Sequence, residues 1–288
     1  MERDWDCYTV ISPTNNLGVI LNVSRAGHLG IHSATFIDFS IPWDHSEHIT
    51  KTYPGGKPKF NSYGTDGSTV YKNDPIDFEF RTKHGETRLL CNYKKFYKRK
   101  ELSCYILLKN KINSFGLLDN CLVETFDCSG KVSIYGKDYD LSPDTDFAIR
   151  TSGRNGTASG EGHRGCFGFG YADSKPFTFY FVDGKEKMSD NSYIYDGKLY
   201  NTDEFFFKIP EEILRGTRNY YSRSGAFKGD FYPQTDFSFK NDLGIFASDR
   251  HTIIGSLNGS FEIEGGKRVS FENAFCLTEH IRKKLFKR

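Results

Sequence analysis

Glu279-His280 near the C-terminus, Asp190-Asn191 ahead of a strand-like run, and Asp144, Asp146, Arg150 and Arg154 around a glycine-rich stretch are the polar residues in the least ordinary settings. A carboxylate beside an amide or a guanidinium can move a proton while its neighbour steadies the oxygen involved, which is general acid–base chemistry. Glu279, Asp190 and Asn191 are therefore the candidate catalytic residues, and Arg154, His163, Arg164, Asp146, Tyr193 and His28 the candidate ligand contacts. Each type also has an ordinary use: Asp144, after Ser142-Pro143, and Asp190 are turn formers, Arg154 can pair with a carboxylate, and Glu279 can close a final strand. No spacing forms a nucleophile elbow, a triad or a glycosidase pair.

Three further motifs read more simply as structure. Gly160-Glu161-Gly162-His163-Arg164-Gly165 matches the dinucleotide fingerprint, yet the residues after it, CFGFGYA, read as a strand where that motif needs a helix. His45, Glu47 and His48 could surround a metal, with His28, His32, His163, His251 or His280 joining only if the fold gathers them; no metal signature is present, and no metal or cofactor is expected. Residues 93–100, YKKFYKRK, interleave cations and aromatics as single-strand binders do, but a hairpin with rings inward and lysines outward has the same composition. The balance of 39 basic against 37 acidic residues, net +2, supplies no general pull towards nucleic acid or anionic lipid.

The elements that must position these groups read as strands. The chain of 288 residues is rich in rings, with 26 Phe and 17 Tyr, which suit a pleated, half-buried surface. From Tyr8 to Ser40, YTVIS, LGVILNVS and GIHSATFIDFS are strands split by turns at residues 13–16 and 26–27. Residues 41–67, with Pro54-Gly55-Gly56 and Asp66-Gly67, read as a long loop or lid. Strands follow at 69–72, 75–81, 87–92, 103–109 and 116–127, with Ser129-Gly130 as a turn, and then KVSIYGKDY as a short strand pair. Residues 151–170 hold seven glycines and read as a flexible connection leading into a strand. Asp183-Gly184 and Asp196-Gly197 mark hairpins, and Gly265-Gly266 the tightest turn.

Helix signals are limited to Pro210–Arg215 and to the tail from Thr278, with Thr278 as its N-cap. The seven cysteines form no C-x-x-C pair and read as free buried thiols. No window reaches the about 18 consecutive apolar residues of a membrane span, and the charged start MERDWD lacks the core of a secretion signal, so no membrane insertion and a cytosolic location are expected. The fold class expected is all-β and antiparallel, with one or two short helices.

Taken in order, several segments resemble the domain-of-unknown-function family 2804. WDCYTVISPTNNLGVILNVSRAGHLGIHSATFIDFS is similar to its opening, ending in Asp38-Phe39; GKVSIYGKDYDL to its Gly-x-Val segment; and SDNSYIYDGKL to its acid-Asn-small stretch and Asp-Gly turn, matched by Asp190, Asn191, Asp196 and Gly197. GDFYPQTDFSF resembles its Phe-x-Pro segment, and IIGSLNGSFEIEGGKRVSFENAFCLTEH its closing series, matched by Gly255, Gly259, Gly266 and Glu279. The chain departs from the family after Tyr139: where Asp-Trp-Gly-Arg-Gly is usual, only Gly153, Arg154 and Gly156 align. The resemblance implies two consecutive lipocalin-like barrels or half-barrels, divided near Ser142-Pro143 into 1–142 and 143–288, in a group that includes hydratases and cyclases. It implies an enzyme using acid–base chemistry on a small ring-containing or apolar molecule; a non-catalytic ligand-binding barrel and a carbohydrate-active protein are the alternatives.

Overall fold

Side chains that alternate between two environments at period two make strands, and they do so along nearly the whole chain. The computed structural model describes residues 2–26, 29–40, 46–54, 66–73, 76–95, 101–117, 121–157, 163–183, 191–208, 216–242 and 246–285. These form two compact units, Met1–Ile41 with His45–Ala158, and Pro42–Asp44 with Ser159–Arg288. The architecture is all-β.

The first unit contains β1 (Glu2–Ser12), β2 (Leu17–Ala26), β3 (Leu29–Asp38), β4 (Ser46–Pro54), β5 (Gly67–Asn73), β6 (Ile76–Lys83), β7 (Glu86–Tyr93), β8 (Leu102–Leu117), β9 (Cys121–Ile134), β10 (Lys137–Leu141) and β11 (Phe147–Thr157). They pair in the order β4-β3-β2-β1-β11-β9-β8-β7-β6-β5, with β10 on the remaining edge of β9. Five strands separate β1 from β5 in that order. Even so, Thr69 on β5 donates to Asp6 on β1 at 2.8 Å, and the rings of Tyr8 and Phe80 lie 4.8 Å apart. The sheet therefore curls into a half-barrel whose inner face is built in rows. Val10 stands opposite Val19 and Ala148, and the next inward residues, Tyr8 and Asp6, stand opposite Arg150 and Ser152. One end of the interior is thus apolar and the other polar.

The second unit contains β12 (His163–Ala172), β13 (Lys175–Asp183), β14 (Ser192–Tyr195), β15 (Lys198–Asn201), β16 (Phe205–Lys208), β17 (Arg218–Ser222), β18 (Phe227–Asp242), β19 (Phe246–Glu262) and β20 (Arg268–Leu285). Its pairing order, β12-β20-β19-β18-β17-β16-β13, returns to the start through β12–β13, with β14 and β15 added on β13. Phe177, Phe179, Phe181, Phe205, Phe227, Phe261 and Phe271 fill the interior. β12 makes room for them: a Cβ at Gly168 would lie 2.1 Å from the Phe275 carbonyl oxygen and 2.3 Å from the Phe179 ring. Gly168 and Gly170 serve close packing within a strand.

Several sequence expectations are corrected by pairing. Residues 46–54, inside the expected loop, form β4 because β3 offers them a free edge. Thr151–Thr157, read as flexible connection, continue β11 against β1. The strand expected at 116–127 is split between β8 and β9, and Ser129-Gly130 is no turn: β9 runs on to Ile134, paired with β8 throughout. The expected C-terminal helix is strand through Leu285, because β12 and β19 bond it on both sides up to Ile281 and Leu285; sheet pairing overrides local helix propensity. Among the described residues there is no α-helix, only a 3-10 turn at Glu264–Gly266; Pro210–Arg215 lies outside them. The Asp196-Gly197 hairpin forms as expected, with φ of 51° and 74°.

Candidate functional site

Inward side chains at one end of the second unit form a polar group above the phenylalanine core. Register places Arg164 of β12 opposite Asp183 of β13 and His280 of β20, and His280 opposite His251 of β19. These positions continue the face of Cys166, Phe181, Thr278 and Ile253, so they share the interior. Arg164 ties the group together: its Nε donates to His280 Nε2 at 3.3 Å and its Nη1 to Asp183 Oδ2 at 3.3 Å. An Nε2 that accepts presents its lone pair to the guanidinium. Burial pushes the Asp183 carboxyl above its usual range, and the Arg164 charge opposes without cancelling this. With side chains 42% and 26% exposed, Arg164 and Asp183 are within reach of a solute. One layer deeper, the Tyr220 and Thr278 hydroxyls are hydrogen-bonded at 2.8 Å, and Arg218, fully buried, packs on the Phe231 ring.

The first unit has a deeper ionic cluster at its polar end. Arg150 donates from Nη1 to Glu124 Oε2 and from Nη2 to Asp6 Oδ1, both at 3.0 Å. Lys111 Nζ reaches the other Glu124 oxygen at 2.5 Å. The guanidinium lies 5.6 Å from the Tyr8 ring centre. Burial works against its charge, but Tyr8, Asp6 and Glu124 outweigh that and hold its pKa above the ordinary arginine value. Asp4 pairs with Arg25 on the same face.

A model of the domain of unknown function DUF2804 matches residues 2–285. The chain belongs to this family. No curated protein matches it. Solved structures share its fold at low identity. A protein from Nitrosomonas europaea described as AttH has a TM-score of 0.64 and 13% identity, over 98% of this chain and 92% of its own. CghA, crystallised with Sch210972, has a TM-score of 0.62 and 9% identity, covering 97% and 88%. Kievitone hydratase from Nectria haematococca has a TM-score of 0.58 and 11% identity, covering 98% and 89%. Identities this low establish the common fold only.

Of the residues singled out in the sequence, Arg164, His280 and His251 lie in the second-unit group. Glu279 alternates to the opposite face of β20 from Thr278 and His280, opposite Gly165 and Thr252 in register. Asn191 is a structural clamp: its Oδ1 accepts from the Val182 amide at 2.7 Å and its Nδ2 donates to the Asp203 carbonyl at 3.2 Å. Asp146 closes the turn before β11, accepting from the Ser142 amide at 2.8 Å and the Thr14 hydroxyl at 3.3 Å. Tyr193 donates to the Glu262 carbonyl and stacks on Tyr200. Arg154 and His163 are strand residues of β11 and β12, while His28, His45 and Asp190 lie outside the described residues. A groove of about 410 Å³ on the outer face of β17–β19, lined by Asn219, Tyr221, Lys228, Asp230, Asn258 and Ser260, holds none of them.

Asp6 and Glu124 were not singled out in the sequence, and Asp183 was named only as a hairpin residue. A carboxylate within an otherwise apolar alternation was the available signal, as in Trp5-Asp6-Cys7-Tyr8 and Val123-Glu124-Thr125-Phe126.

Proposed function

We propose that the chain is a barrel-fold enzyme that moves protons on a small ring-containing or apolar molecule, with Arg164, Asp183 and His280 as its reacting groups. The observation that carries this is the guanidinium shared between an imidazole and a carboxyl whose burial raises its pKa, above an aromatic interior. Groups held with different proton affinities divide acid and base roles between them. Arg164 supplies the donor for an oxygen on the substrate. When that oxygen takes the Nε–H, the His280 Nε2 lone pair is released to accept a proton, and the Asp183 carboxyl, when protonated, returns one elsewhere on the molecule. Proton removal and return at two positions is the common core of isomerisation, cyclisation and hydration. The fold shared with kievitone hydratase supports that class by analogy.

Deuterium uptake reports such proton transfer whatever the product. The chain is incubated in deuterium oxide with kievitone and with a panel of small ring-containing ketones and alkenes, and uptake is followed by mass spectrometry. His280→Ala is expected to lower uptake by about 10²-fold or more, and Glu279→Gln to leave it unchanged. Uptake that is indifferent to His280→Ala sinks the proposal. Ligand-induced thermal stabilisation without any uptake favours a non-catalytic binding barrel instead.

A further inference from the structure

We infer that the polar end of the first unit's interior is a second binding site, for a small neutral molecule bearing an oxygen acceptor, recognised by Arg150 and Ser152. It shares no residue with the acid–base group of the second unit. Arg150 spends both terminal nitrogens on Glu124 and Asp6, yet its Nε–H has no hydrogen-bond partner among the described residues. Ser152, two residues along the same strand and therefore on the same face, is fully buried, and its Oγ likewise has none. Folded proteins seldom keep two such groups side by side, because each forfeits its hydration without replacement.

The charges choose the ligand class. Among the described residues, Arg150 and Lys111 balance Asp6 and Glu124 one for one, and Arg25 balances Asp4. A carboxylate or phosphate would add an uncompensated buried charge, whereas a carbonyl or ether oxygen accepts from Nε–H without one. The surroundings choose the ligand body. Tyr8 stacks against the guanidinium and touches Phe80, and His32 packs on the Phe78 and Tyr93 rings across the same face. An aryl ketone has both features.

Acetophenone and benzoate serve as neutral and anionic probes, titrated into the full chain and into Ser152→Ala by calorimetry. Acetophenone is expected to bind saturably and benzoate at least 10-fold more weakly. Ser152→Ala removes only a hydroxyl without a partner, so its unliganded thermal midpoint is expected at or above that of the wild type, with acetophenone affinity reduced 5-fold or more. The proposal is overturned by benzoate binding as tightly as acetophenone, by unchanged affinity in Ser152→Ala, or by a lowered unliganded midpoint. Absence of saturable acetophenone binding overturns it too, and leaves ordered water as the partner of both groups.

Discussion

Arg150 shows how much of this protein's behaviour rests on single side chains. Its guanidinium is the common partner of Asp6 and Glu124 in a site where all three are buried. Removing one member of a buried ionic group leaves the others uncompensated, at a cost of about 3–5 kcal/mol. Arg150→Ala is therefore expected to lower the urea midpoint sharply, more than Asp146→Ala does, since Asp146 serves uncharged donors and its loss strands no opposite charge. Asp183 should behave oppositely. Its folded pKa is raised, chiefly by burial, so ionisation costs more in the folded chain than in the unfolded one. That penalty is fully present above the folded pKa and vanishes below the unfolded value, near 4. Asp183→Asn should raise the thermal midpoint at pH 7–8, and the gain should fade as the pH falls through the carboxylate range. A gain that grows on acidification would contradict the assignment.

Among the strands, close approach explains Gly153, which the sequence marks as part of a glycine-rich run. A Cβ at Gly153 would stand 2.0 Å from the Trp5 indole, which packs across from β1 onto β11. Gly153→Ala must push a large ring aside within a paired ladder, and overpacking of that kind costs about 1–3 kcal/mol. Denaturant unfolding measures it, and pairing the change with Trp5→Leu should recover most of the loss. Elements were legible where a turn announced itself locally. Asp196-Gly197 takes the left-handed backbone of a two-residue hairpin, and Gly265-Gly266 the bend between β19 and β20. They were illegible where a partner strand made the decision. SEHITKTYP carries polar and β-branched residues that suit either a loop or an edge, and only the free side of β3 turns it into β4. TEHIRKKL has apolar residues at Ile281 and Leu285, a helical spacing, yet two flanking strands recruit it.

For the molecule as a whole, the placement of β11 determines what folds together. Ser142-Pro143 sits in the turn before β11, and β11 lies between β1 and β9 in the first sheet. We therefore expect a fragment ending at residue 158 to unfold cooperatively in urea and a fragment ending at residue 142 not to, because the latter leaves β1 and β9 each with an unpaired edge. A cooperative transition in the shorter fragment would show that β11 is dispensable. The same topology makes folding depend on contacts far apart in sequence, since Arg150 meets Asp6 across 144 residues and Arg164 meets His280 across 116. Loop-closure entropy must be overcome before such contacts stabilise anything, so refolding is expected to be slow for the chain's size.

Local sequence was enough to establish that the protein is β-structured, that Asp196-Gly197 and Gly265-Gly266 make turns, and the family to which it belongs. Those properties rest on period-two alternation and turn chemistry, which act over a few residues. Which polar residues share an interior was settled by strand pairing alone. A one-residue shift of register sends a side chain to the opposite face, and that register is set between strands more than a hundred residues apart. Glu279 and His280 are neighbours in sequence, yet β20 presents them to opposite sides, and it is His280 that meets Arg164. Asp6 and Arg150 carry no shared motif, and the pairing of β1 with β11 makes them partners.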